Sequence, residues 1–153
     1  MEMYADETTV VDESECWTRL RSSEVGRLAV VTPDGPDIFP VNYVVDHGTV
    51  VFRTAPGSKL TALRQGEPVA FEADGFDGDA NEAWSVVVKG HPQQLRQPEA
   101  VLDAAGLPLF PWHGADKPVF VRVVPSQVSG RRFRVVEAAR WPTTDLAPRA
   151  APE

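Results

Sequence analysis

The segment 40–60 constrains the fold most, because two strand-forming runs and a helix-forming run follow one another in it with very short connections. Residues 38–45 and 50–54 are rich in β-branched and aromatic side chains, which favour strands. Between them, residues 46–49 read Asp-His-Gly-Thr, a composition that is typical of tight turns. The segment therefore predicts an antiparallel β-hairpin that leads directly into a helix.

A Pro-Gly pair ends the second of these strands, and Ser58, Lys59 and Leu60 begin the predicted helix. A helix N-terminus attracts anions through its free N–H groups and its dipole, and Lys59 adds a full positive charge. Arg53 can contribute two further donors. Ser58 can equally be an ordinary helix cap and Lys59 a solvated surface charge. The pattern leaves a phosphate site and a plain helix start both open.

The rest of the chain continues as short apolar runs separated by turn residues, which predicts an antiparallel meander. The continuous apolar run 41–45 indicates a strand that is buried on both faces. We predict a loop at the acidic, Gly-rich segment 74–82 and a bend at Gly90 and Pro92. Further strands are predicted at 26–32, 68–73, 83–95, 119–124 and 132–137, and further helices at 14–21, capped by Ser14, and at 99–105.

Composition narrows the class of protein. The chain has 153 residues, of which 42% are hydrophobic, which is enough for one domain with a real core. Its net charge of −7 argues against nucleic acid as a partner. One cysteine allows no intrachain disulfide, and no apolar run is long enough to cross a bilayer. We expect a cytoplasmic protein with an acidic arm (1–13), one folded domain (14–140) and a Pro/Ala-rich tail (141–153).

Catalytic and metal motifs are absent from the sequence. His47, His91 and His113 do not have the spacing of metal ligands, so we predict no metal site. There is no Ser-His-Asp order, Walker loop or dinucleotide-binding glycine motif. Hydrolysis and nucleotide-triphosphate chemistry are therefore not supported, and no catalytic residue is identified.

Four ordered segments resemble the pyridoxamine 5′-phosphate oxidase-like proteins, which are flavin-binding split β-barrels. They are VGRLA at 25–29, PVNY at 40–43, FRTAPGSKL at 52–60 and WSVVVKG at 84–90. The resemblance covers about residues 14–137. It implies a mainly β, antiparallel split β-barrel with a few short helices, FMN as the cofactor, and a homodimer with the cofactor groove between the subunits.

By the same resemblance, ten residues contact the cofactor. They are Val41, Asn42 and Tyr43 beside the flavin ring, Phe52, Arg53 and Thr54 along the ribityl chain, Ser58, Lys59 and Leu60 at the phosphate, and Trp84 near the partner's flavin. Oxidases of pyridoxamine phosphate proper carry an additional basic residue immediately before the lysine, where this chain has Ser58. Packing in the core would equally explain Trp84 and Tyr43.

The predicted function is that of an FMN-binding oxidoreductase acting on a small molecule that the sequence does not identify. By the resemblance, vitamin B6 oxidation is not expected, because the true oxidases grip the substrate phosphate with basic and aromatic residues of a C-terminal segment, whereas Arg140 and Trp141 here are followed by a polar tail. One alternative is a reductase that uses deazaflavin (coenzyme F420) on the same fold. The polyglutamate tail of that coenzyme would favour a basic groove, and an acidic chain offers little basic surface. Another alternative is a non-catalytic flavin- or haem-binding module.

Overall fold

One antiparallel sheet of seven strands, with three short helices against it, makes up the part of the chain that the structure describes. The structure, a computed structural model, describes residues 8–109 and 117–135. In chain order the elements are β1 (Thr9–Val11), α1 (Glu13–Arg21), β2 (Val25–Thr32), β3 (Gly35–Asp46), β4 (Thr49–Thr54), α2 (Ser58–Arg64), β5 (Val69–Asp77), β6 (Glu82–Gln94), α3 (Pro98–Ala105) and β7 (Val119–Arg134).

The sheet closes on itself through its longest strand. The strand order is β1-β7-β4-β3-β2-β5-β6, and β6 pairs again with β7. Six strands thus form a ring, and β1 pairs with β7 near its end. Ring closure pairs the strand edges that an open sheet would leave exposed. The mainly β, antiparallel barrel predicted from the sequence is confirmed.

The interior of the barrel is filled by side chains that alternate along the strands. Phe52, Phe71, Leu28, Val86 and Val88 are all fully buried. Alternation places them inward while their neighbours in sequence face outward. A barrel of this size has no room for a ligand inside, so any binding site lies on its outside.

A second apolar cluster lies outside the barrel, beneath α3. Val51 and Phe120 from β4 and β7 pack there against Ala104 and Leu109, with Val44 of β3 beside them. Tyr43, the neighbour of Val44, belongs to the barrel core instead. The strand predicted from the apolar run 41–45 is therefore packed on both faces, as expected.

The hairpin at residues 40–60 is present as predicted, and α1 closes one end of the barrel. Trp17 and Leu20 of α1 are buried in the core. The Tyr43 hydroxyl donates a hydrogen bond of 2.6 Å to the carbonyl oxygen of Leu20. The cap of α1 is Asp12, whose Oδ1 accepts from the Glu15 N–H at 2.8 Å; the prediction of Ser14 as the cap was wrong.

Three further boundaries differ from the sequence predictions. The segment 74–82 is mostly strand, because β5 and β6 stay paired from Asp74 with Ser85 to Asp77 with Glu82. The two strands predicted at 119–124 and 132–137 are one continuous β7 as far as Arg134, held by its long pairing with β6. Part of the predicted N-terminal arm is β1. Residues 1–7, residues 110–116 and everything from 136, including the predicted tail, lie outside the described residues.

No helix within the described ranges is long and apolar enough to span a membrane.

Cys16 is a free thiol on the buried face of α1. Burial, followed by the nearby carboxylates of Asp12, Glu15 and Glu13, raises the pKa of this thiol. The thiol therefore stays protonated and is a poor nucleophile.

Candidate functional site

A groove of about 510 Å³ lies between α2 and the β2–β3 hairpin. Its size is within the usual range for ligand sites. Ser58 and Lys59, predicted at the phosphate, both line it. Further lining residues come from the hairpin and from the rest of α2: Val30, Thr32, Pro33, Asp34, Asp37, Thr61, Ala62 and Gln65. The structure therefore brings these two polar residues together at a groove of suitable size.

Lys59 is held at the groove by an aromatic ring. Its Nζ lies 4.3 Å from the centroid of the Phe39 ring, in a cation–π contact. Within the described ranges, Lys59 forms no salt bridge with a carboxylate. Asp34 and Asp37 line the same groove. Lys59 can therefore attract one phosphate group, whereas a long polyanion in the groove would also meet two carboxylates.

The start of α2 differs from an ordinary capped helix. Its N-cap is Gly57, and no side chain caps the first turn. Ser58 is the first helical residue and is exposed. The alternative that Ser58 serves as the helix cap is therefore wrong, and its hydroxyl lies at the groove beside Lys59.

Asn42 and Arg53 meet in a different place, on the outer face of the sheet. They line a small pocket with Leu109 and Lys117. The Arg53 Nε donates to the carbonyl oxygen of Lys117 at 2.9 Å, and its guanidinium lies 5.0 Å from the centroid of the Phe120 ring. Asn42 faces outward, whereas Phe39, which lies under Lys59, faces the barrel core. The two polar pairs therefore lie on opposite faces of β3.

The remaining predicted site residues have buried side chains. Tyr43 forms an edge-to-face contact with Phe71, at a centroid distance of 4.7 Å. Trp84 packs over Gly75, where an added Cβ would lie 2.7 Å from the indole Nε1. In this chain such side chains belong mainly to the core. The buried set is Val41, Tyr43, Phe52, Thr54, Leu60 and Trp84.

Tyr43 also has an altered acidity. Burial raises the pKa of its phenol to about 12, so the hydroxyl remains a hydrogen-bond donor at neutral pH. It donates to the Leu20 carbonyl oxygen inside the protein. Tyr43 therefore anchors α1 to β3 and is not a proton donor for a ligand.

A cluster of three charged residues lies on the outer face of β2 and β5. Arg27 Nη1 lies 3.1 Å from Asp74 Oδ2 and 3.8 Å from Glu72 Oε1. The Glu72 Oε1 atom is buried and has no hydrogen-bond partner. Burial first, and then the neighbouring Asp74 carboxylate, raise the pKa of Glu72 from 4.5 to about 7. On β6, the residue paired with Glu72 is the uncharged Val87.

Stability is expected to fall as the pH rises from about 4.5 to about 7, because the unfolded chain releases the Glu72 proton at lower pH than the folded chain does. Glu72→Gln should remove this dependence, since a glutamine stays neutral throughout. Urea unfolding at pH 5 and pH 8 would measure both proteins, with Glu67→Gln, an exposed acid, as the control. An unchanged pH dependence in Glu72→Gln would contradict the assignment.

The histidines lie apart from these sites. His47 and His91 are exposed, and His113 lies outside the described residues. In the ranges 8–109 and 117–135, no group of three His, Cys, Asp or Glu side chains is placed to hold a metal ion.

The structure brings two features to light that the sequence interpretation missed: Phe39 beneath Lys59, and a contact of Arg64 and Arg96 with Gln94. Neither leaves a local sequence signal, because the contacts of Lys59 with Phe39 and of Arg64 with Gln94 depend on packing between distant segments.

Comparison with known proteins gives consistent results. Residues 12–132 match the family model described as pyridoxamine 5′-phosphate oxidase. An uncharacterized protein of Mycobacterium tuberculosis H37Rv is 34% identical over 143 residues, which cover 90% of this chain and 92% of that protein. The solved structure of an FAD-binding protein from Mycobacterium smegmatis is 38% identical, with a TM-score of 0.71, covering 83% of this chain and 99% of that one.

A conserved protein of unknown function from Corynebacterium diphtheriae is similar to the same extent. It is 42% identical, with a TM-score of 0.70, and the match covers 84% of this chain and 99% of that chain. The family match spans all four segments that carried the sequence resemblance. The chain therefore belongs to the pyridoxamine 5′-phosphate oxidase-like family of split β-barrels.

Proposed function

We propose that this protein binds a flavin at the groove beside α2 and, as a cytoplasmic homodimer, uses it to oxidise or reduce a small molecule. The observation that carries the proposal is Lys59, whose exposed side chain lies over Phe39 at the phosphate-binding position of the family. The 38% identical protein from Mycobacterium smegmatis, which binds FAD, supports it. A bound flavin would supply the hydride transfer, while the protein provides binding and orientation.

The groove fits the phosphate end of a flavin. Ser58 offers a hydroxyl, and Lys59 offers an ammonium that no described carboxylate neutralises, so a phosphate there would gain charge-assisted hydrogen bonds. Asp34 and Asp37 line the same groove and would repel a polyglutamate tail. This charge distribution favours a flavin over the deazaflavin coenzyme.

The proposed homodimer is supported by the separation, within one copy, of the residues predicted to contact the cofactor. Asn42 and Arg53 lie on the outer face, away from the groove of the same copy. On that outer face, Ile38 and Val31 are 64% and 53% exposed, and exposed apolar surface of this kind is typical of interfaces. A second copy seated there would bury these side chains and allow residues from both copies to border one cofactor, as in the family.

FMN and FAD share the ring, the ribityl chain and the first phosphate, so the groove described above would serve either of them. The sequence predicted FMN, whereas the relative from Mycobacterium smegmatis binds FAD. Titrations with FMN, FAD and the deazaflavin coenzyme, followed by fluorescence quenching, would separate the three. Light scattering on the same samples would measure the proposed dimer.

Combined Ser58→Ala and Lys59→Ala substitutions are expected to weaken flavin binding by about 2 to 4 kcal/mol, because contacts to a charged phosphate are lost. The matched control is Lys89→Ala, which removes an exposed lysine from the outer face of β6. Affinity should be unchanged in the control. Equal affinity in the double variant and in the unmodified protein would refute the phosphate assignment.

Turnover requires a separate measurement. The bound flavin is reduced anaerobically, and its reoxidation is followed with a panel of small-molecule acceptors and with air. An oxidoreductase should be reoxidised faster by at least one acceptor than by air. Uniform rates would favour a flavin-binding module without turnover.

A further inference from the structure

Two arginines from separate segments meet at one neutral side chain, away from the Lys59 groove. Arg64 is the last residue of α2, Gln94 is the last residue of β6, and Arg96 follows shortly after. The Arg64 Nε lies 2.9 Å from the Gln94 Oε1, and the Arg96 Nη2 lies 3.3 Å from the same oxygen. One amide oxygen therefore holds two guanidinium groups close together.

The positive charge of this pair is not compensated by the described residues. Neither Arg64 nor Arg96 has a carboxylate oxygen within 4 Å in the ranges 8–109 and 117–135, although Glu67 and Glu99 are close in sequence. By contrast, Arg19, Arg27, Arg122 and Arg132 all form salt bridges with acids. Two like charges at this separation repel each other. In a chain of net charge −7, an uncompensated arginine pair indicates a place for an anion.

The pair stands at a cavity of about 160 Å³. Leu60, Leu63, Pro92 and Val121 contribute apolar walls, while the two arginines and Gln94 supply the polar part of the lining. A guanidinium has five N–H donors, and the contact with Gln94 occupies one on each arginine. The remaining donors are enough to bind several oxygens of one anion.

We propose that Arg64, Arg96 and Gln94 form a second anion site that takes a phosphoryl group. Two planar guanidinium forks match a tetrahedral anion with several oxygens and two negative charges better than they match a single carboxylate. The apolar walls accept a short organic portion attached to the phosphate. The site shares no lining residue with the Lys59 groove, since the two cavities lie on different sides of α2.

Calorimetric titration with inorganic pyrophosphate at low salt tests the site directly. The double variant Arg64→Gln, Arg96→Gln is expected to bind at least about tenfold more weakly, because charge-assisted hydrogen bonds are lost. The control is Arg21→Gln with Arg131→Gln, two exposed arginines that remove the same total charge elsewhere. Its affinity should be unchanged. No saturable binding, or an equal loss in the control, would overturn the proposal.

A further variant separates geometry from charge. Arg64→Lys with Arg96→Lys keeps both charges but loses the planar forks, so its affinity should fall between those of the unmodified protein and the glutamine variant. All variants should keep their thermal unfolding midpoints, which would show that they fold normally. Retained pyrophosphate affinity in the Arg64→Gln, Arg96→Gln variant would refute the site.

Flavin titrations of the Arg64→Gln, Arg96→Gln variant test whether the site is independent of the flavin. Weaker FAD binding with unchanged FMN binding would contradict the proposal, because the two phosphates of FAD are directly linked and cannot lie on different sides of α2. Unchanged binding of both flavins, with pyrophosphate binding lost, would assign it to a separate phosphorylated ligand. Equal losses for FMN and FAD would contradict a site distinct from the Lys59 groove.

Discussion

Replacing Phe71 by alanine is expected to lower the free energy of unfolding by about 3 to 5 kcal/mol, the range for a fully buried phenylalanine in a packed core. Phe71 is 0% exposed and lies near the start of β5. Its ring meets the edge of Tyr43 and fills the space left by Gly26, where an added Cβ would collide with the ring. The cavity left by alanine would therefore be lined by side chains and backbone that are already fixed by neighbouring strands.

Phe76→Ala is the matched control, because it makes the same substitution on the same strand at a side chain that is 60% exposed. Its effect should be within about 0.5 kcal/mol. Urea unfolding followed by tryptophan fluorescence and by circular dichroism would measure both variants. Similar losses at the two positions would mean that β5 does not present Phe71 to the core, and the register of β5 with β2 and β6 would be wrong.

A tightly filled barrel also determines where ligands can bind. Six of the ten residues that the family resemblance assigns to the cofactor have buried side chains, and Phe52 is among the largest fully buried ones. A substitution at Phe52 would therefore reduce cofactor binding by unfolding the protein, which says nothing about contact. Ser58, Lys59, Asn42 and Arg53 are the positions at which a binding measurement is informative.

Much of the fold could be predicted because local patterns and tertiary structure agree there. The hairpin of β3 and β4 follows from β-branched runs and a turn, and α2 begins at Ser58 as the Pro-Gly break predicts. The continuous β7 could not be predicted in this way. A Ser-Gly pair at 129–130 looks like a turn, yet Gly130 lies within the strand, paired with Val86 of β6. A glycine is needed there because an added Cβ would be only 2.6 Å from the Cys16 Sγ. Close packing, and not turn geometry, explains that glycine.

The site was predictable only in part, for a related reason. The resemblance assigns Val41, Asn42 and Tyr43 to one ring, but alternation along a strand sends Asn42 to the opposite face from its two neighbours. The contact of Arg64 and Arg96 with Gln94 joins segments 30 residues apart in the chain. No local pattern specifies which helix end meets which strand end, because packing of the closed sheet brings them together.

Gly90→Ala is expected to lower the free energy of unfolding by about 3 kcal/mol, at the upper end of the range for overpacking. Gly90 lies at a register shift in β6, paired with Pro125 of β7. An added Cβ would collide with the Val124 carbonyl oxygen and lie 2.8 Å from its carbonyl carbon. Both obstacles are backbone atoms, so no rotamer change can relieve them.

The control for this substitution is Gly78→Ala in the turn between β5 and β6. There the nearest atom to an added Cβ is Phe76 Cε1, at an ordinary 3.8 Å, so stability should change by less than about 0.5 kcal/mol. Pro125 supports the same view of the bulge, since a proline has no N–H to lose from the ladder at an irregular position. If Gly90→Ala proved as stable as Gly78→Ala, β6 and β7 would have to pair in another register, and the position of Gln94 beside the two arginines would change with it.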